Sequence, residues 1–117
     1  MDRPRVAVTL EQCWHDVPGG TATSALHTVA ALGAAGRFEP IGVSARHTSP
    51  PAEAFRPSVP VRPLPLPRPA LYESWHRLRR PSLRRAVPDA AVAYVTGVAV
   101  PPSDVPLVVT VHDLAFV

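Results

Sequence analysis

The apolar positions of this chain fall into short runs separated by polar, proline-rich or glycine-rich stretches. RVAVTL (residues 5–10) places Val6 and Val8 two apart, the pattern of a buried strand. EQCWHDVPGG follows as a loop. TATSALHTVAALGAAG (21–36) has Ala25, Leu26, Val29, Ala30, Leu32 and Ala35 at helical spacing. Thr21, Thr23 and Ser24 are its candidate N-caps, and Gly36, rather than Gly33, is the better stop. Residues 41–45 predict a second strand, and TSPPAEAFRPSVP a loop. VRPLPLP (61–67) alternates apolar residues with prolines, which cannot donate to a ladder, so an edge strand or polyproline segment is expected. In ALYESWHRLRRPSLRRAV (70–87), Leu71, Trp75 and Leu78 share one helical face, and Pro81 breaks or restarts the helix. Residues 90–96 predict a further buried strand, and 107–111 a strongly apolar, β-branched one that runs into His112-Asp113.

Strands alternating with helices predict an α/β fold, a Rossmann-like, doubly wound and mostly parallel sheet. The expected strand order is 3-2-1-4-5, with VRPLPLP at the edge. A length of 117 residues accommodates one domain at most, residues 1–117. The 46% hydrophobic content excludes a disordered chain. No run approaches the ~20 apolar residues of a membrane span, and the short apolar stretch at the N-terminus is a first strand rather than a signal peptide. A cytoplasmic chain is the expectation. One cysteine, Cys13, rules out an internal disulfide and any metal site built from several cysteines. Without a paired histidine at readable spacing, Cys13 reads as a small buried residue. No metal and no cofactor is expected.

The net charge is +3, and all twelve basic residues are arginine. Five lie close together: Arg77, Arg79, Arg80, Arg84 and Arg85. They form either a solvated helix face or a contact for an anionic membrane surface or a phosphate-bearing acceptor. Basic and aromatic residues are not interleaved and there is no recognition helix, so nucleic acid is not an expected partner.

Gly19-Gly20 lies between the first strand and the first helix, hence at the carboxyl edge of a parallel sheet, where ligands gather. Glycine lets a backbone approach a bulky anion, and a helix start offers free N–H groups and partial positive charge. A phosphate or carboxylate seat without lysine results. The stretch is neither GxGxxG nor GxxxxGK[ST], and a plain capped turn accounts for it equally. His112 and Asp113 end the last strand on the same edge, where an imidazole can bond a sugar hydroxyl or phosphate and a carboxylate can orient it. His15, Thr21 and Gly97 are further cleft-lining candidates on that edge. Trp14 either packs at the cleft rim or stacks on a sugar ring, and His27 is a solvated or helix-packing residue.

VPGGTATSALHTVAAL, VRPLPLPRPALYESWHRLRRP and PLVVTVHDLAFV together resemble the amino-terminal domain of a family 4 retaining glycosyltransferase of the two-domain GT-B architecture. The resemblance runs from about residue 4 to residue 117. It implies transfer of a sugar, with retention, from a nucleotide-diphosphate sugar to an acceptor that is a sugar, a lipid-linked molecule or another small molecule. It implies that the Gly20 backbone, with Gly19 beside it, approaches the donor diphosphate. His112 would contact the transferred sugar, with Asp113 in support, and no residue is assigned as catalytic. The family's carboxy-terminal nucleotide-sugar domain is missing from this sequence, so an incomplete amino-terminal domain, nearly inactive alone, is expected; some relatives work at the inner membrane face. Two other readings stand beside this one: a non-catalytic acceptor- or partner-binding module, and an unrelated α/β nucleotide-binding protein.

Overall fold

A computed structural model describes residues 3–15, 19–96 and 100–109. Five strands form one all-parallel sheet: β1 (Arg5–Thr9), β2 (Glu39–Ser44), β3 (Val61–Pro63), β4 (Ala90–Val95) and β5 (Leu107–Val109). Their order is β3-β2-β1-β4-β5. Helix α1 (Gly19–Ala35) connects β1 to β2, and α2 (Arg68–Arg77) lies between β3 and β4. The architecture is Rossmann-like, as the alternation of strands and helices predicts.

Side-chain alternation splits the core into two layers. Val6 and Val8 of β1 pack with Leu10, Cys13 and the buried stripe Ala22, Ala25 and Val29 of α1. Ala7, between them in sequence, faces the other way, joining Ile41, Val43, Leu64, Leu71, Trp75 and Leu83. Each strand residue therefore chooses a helix layer by parity, the period of two that β geometry imposes. Gly42, on the α1 side of β2, has Leu10 and Val61 so close that a Cβ would lie 2.6 Å from the Leu10 side chain.

Prolines put β3 at the edge. The Leu64 N–H donates to Ser44 O (2.8 Å), and Leu66 O accepts from the Arg46 N–H (2.8 Å). Residues 64 and 66 thus direct their backbone groups toward β2. Pro63, Pro65 and Pro67 fall on the alternate positions, where the missing N–H faces away from the sheet.

Three local expectations change. Helix α1 starts at Gly19, so the two glycines form its first turn, and Thr21, Thr23 and Ser24 lie within the helix instead of capping it. It ends where expected: Gly36 follows at φ +75°, a left-handed stop that glycine adopts without strain. Helix α2 is shorter than the apolar pattern suggests. It begins at Arg68-Pro69, with proline in the first turn, and ends at Arg77. Leu78 is 67% exposed rather than part of the Leu71–Trp75 face. The chain turns there through Arg79 at φ 54° and a cis Arg80–Pro81 bond, and Pro81 O accepts the Trp75 indole N–H at 2.8 Å. A 3-10 turn, Leu83–Arg85, then leads to β4.

Candidate functional site at the carboxyl edge of the sheet

Strands β1, β2 and β3 step in one direction, and β4 lies on the opposite side of β1. The order reverses between β1 and β4, and a crevice opens outside the carboxyl ends at such a point. Thr9 and Thr96 stand at the two strand ends on either side of this reversal. The Thr96 N–H donates to Thr9 Oγ1 at 3.0 Å, while Thr96 Oγ1 receives Gln12 Nε2–H and donates to Thr9 O. All three residues are buried, so they tie the end of β1 to the end of β4.

The first turn of α1 stands over the end of β1. Gly20 is exposed and its φ is not in the left-handed region; a Cβ there would meet nothing within 4 Å. Its conformational freedom is unused, and what it offers is open space over the helix N-terminus. The side chain of Thr21 and all of Gly97, His112 and Asp113 lie outside the described residues. His15 is half-buried and closes the 3-10 turn Glu11–Trp14, its N–H donating to Gln12 O at 3.2 Å.

The arginines sit elsewhere. Arg84 bonds Asp104 (2.9 Å) and Pro88 O (3.0 Å), groups that precede β5 and β4. Arg79 bonds Trp75 O and Val100 O, and Arg77 pairs with Glu73 one helical turn back. Arg80 and Arg85 are exposed. The cluster therefore occupies the amino edge of the sheet, away from the glycines.

A second feature of the carboxyl edge is not legible in the sequence. Glu11, directly after β1, is 4% exposed. Its Oε1 accepts the Ala45 N–H at 2.8 Å, both oxygens lie 2.8–2.9 Å from His47 Nε2, and Oε2 pairs with Arg68 Nε at 2.5 Å. One carboxylate thus joins the ends of β1 and β2 to the start of α2. His47 in turn stacks on Trp14, with centroids 4.6 Å apart and planes 4° from parallel, and the Trp14 indole N–H donates to Ser49 O at 2.9 Å. Beside this pair opens a cleft of about 330 Å³, whose other wall is Val61 and Pro63 of β3.

Burial also shapes acidity here. Desolvation, with Glu11's negative charge adding to it, pushes the Cys13 thiol up from 9.0 to about 11. The Tyr72 hydroxyl rises from 10.0 to about 12, chiefly by burial. Cys13 is thus a neutral, inert thiol, as its buried reading implies. Among the described residues no buried side-chain polar atom lacks a hydrogen-bond partner, and no group of three or more His, Cys, Asp or Glu is placed to hold a metal ion. None of the described helices is long and apolar enough to cross a membrane. Comparisons with protein-family models, curated proteins and solved structures find no match.

Proposed function

We propose that this chain is the acceptor-side domain of a retaining glycosyltransferase, using a nucleotide-diphosphate sugar as donor. The observation that carries the reading is the open N-terminal turn of α1 at the carboxyl end of β1, next to the strand-order reversal. A diphosphate there gains the first-turn N–H groups and the positive end of the helix dipole, and meets no side chain at Gly20. β5 runs parallel to β1, two strands away, and ends at Val109, three positions before His112 in the sequence. The His-Asp sequence that carries the family resemblance therefore follows a strand whose exit is on the glycine edge. The role assigned to His112 is to bind and position the transferred sugar, with Asp113 supporting it. The reading places the work in the cytoplasm.

The test is a titration of the isotopically labelled chain with UDP-, GDP- and ADP-sugars, following the Gly19 and Gly20 amides and the His112 ring. The reading predicts that one donor shifts all three signals with a single dissociation constant in the millimolar range, roughly −4 kcal/mol. No saturable shift up to about 10 mM, or a shift at the glycines that leaves His112 unmoved, overturns it.

A further inference from the structure

We propose that the cleft between the Trp14–His47 pair and β3 is a second binding site, for an uncharged, hydroxyl-bearing ring of mono- or disaccharide size. The ligand class follows from the cleft itself; its identity as the acceptor sugar rests on the glycosyl-transfer reading. The cleft, at about 330 Å³, falls at the lower end of the roughly 300–1,000 Å³ of small-molecule sites.

Its aromatic wall is held by bonds as well as by packing of Trp14 against the α1-side layer. Trp14 and His47 are both only half-buried. Yet the indole is fixed by Ser49 O, and the imidazole by both oxygens of a carboxylate that is itself held by Ala45 N–H and Arg68. Burying a carboxylate to orient a half-exposed histidine is costly for a surface that only faces water. It is the arrangement expected where a ring must present a fixed face to a ligand. Because Glu11 accepts at Nε2, that nitrogen carries a proton.

The lining selects the occupant. Val61, Pro63 and Pro50 supply apolar surface, and Thr48 and Ser49 supply hydroxyls. Among the described residues no carboxylate or guanidinium lines the cleft, and Arg68 is already engaged by Glu11. An anion finds no counter-charge beyond His47, and a purely apolar ligand leaves the hydroxyls desolvated. A sugar satisfies both walls: its C–H face lies on an aromatic face, whose π-cloud is electron-rich, and its hydroxyls meet the polar rim.

The full chain is titrated with methyl α-glucoside, methyl α-mannoside and maltose, with inorganic phosphate as the competing chemistry, while the two indole N–H signals are followed. Trp75 is the internal reference, since its indole is bonded to Pro81 O within a buried layer. The proposal predicts a saturable shift of Trp14 but not of Trp75 with at least one sugar. It also predicts at least about a tenfold loss of affinity in Thr48→Phe, which fills the cleft from an exposed position. No saturable Trp14 shift with any of the sugars up to about 100 mM overturns it; so does unchanged affinity in Thr48→Phe, or an equal response to phosphate. These sugars carry no diphosphate, so the outcome is separate from the donor titration. Binding at Trp14 with no donor response at Gly20 supports this site and removes only its assignment as acceptor; a donor response at Gly20 with none at Trp14 overturns the site alone.

Discussion

Glu11 is the residue whose removal should change this edge most. In Glu11→Ala the Ala45 N–H, now bonded at 2.8 Å in a buried position, loses its acceptor, and an orphaned buried donor costs about 1–3 kcal/mol. The Arg68 and His47 side chains also lose their partner, but they are 30% and 19% exposed and can turn toward water. Their loss is screened and adds about 1 kcal/mol. The sum is about 2–4 kcal/mol, a large share of the stability of a domain this size. Glu11→Gln keeps one carbonyl oxygen for Ala45 and loses only the charge, so about 1–2 kcal/mol is expected. Urea unfolding followed by circular dichroism measures both. Intrinsic fluorescence of the native state should change as well, because the His47 ring is released from its carboxylate and the stack with Trp14 loosens. A Glu11→Ala variant destabilised by less than about 0.5 kcal/mol, with unchanged native fluorescence, refutes the view that this carboxylate organises the edge.

Gly20→Ala is expected to stabilise the fold by up to about 0.5 kcal/mol, because alanine is the better helix former and its Cβ meets nothing; the same change should weaken nucleotide-sugar binding, and unchanged affinity in the titration counts against a backbone approach there. Gly42→Ala places a Cβ 2.6 Å from Leu10 and 3.0 Å from Val61. Leu10 is fully buried and cannot swing away freely, so a loss of about 1–3 kcal/mol in a urea melt is predicted. Cys13 gives a pH dependence: its thiol is raised from 9.0 to about 11 in the folded chain, so between those values the unfolded chain releases a proton that the folded chain keeps. Its contribution is complete below pH 9.0 and is lost as pH rises toward about 11. Cys13→Ala should therefore show a shallower fall in stability between these two pH values than the parent chain, Tyr72 contributing equally to both.

What was legible in the sequence was whatever local chemistry dictates. The prolines of VRPLPLP exclude a central strand, Gly36 supplies the one conformation that ends α1, and the alternation of Val6, Ala7 and Val8 sends neighbours to opposite layers. Strand order followed, because short crossovers leave few parallel arrangements. The start of α1 is not legible, because glycine propensity argues against a helical first turn and packing of the following alanines decides instead. Periodicity puts Leu78 on the buried face because it assumes the helix continues, whereas the backbone turns at Arg79. The Glu11 cluster was out of reach because its partners lie 34 to 57 residues away in the chain. A lone glutamate after a strand reads as solvated until His47 and Arg68 are brought to it. One signal was available: a carboxylate immediately after a buried strand of a parallel sheet stands on the edge where ligands bind.

The central claim is that one ligand gap lies between the start of α1 and the histidine after β5. Its most direct test is the separation of the His112 ring from the Gly20 backbone in an experimentally determined structure of the chain. Two strand spacings separate β1 from β5, so the claim predicts about 10 Å, with both groups opening onto the same crevice. A His112 ring enclosed in the core, or turned to the opposite edge of the sheet, would contradict it.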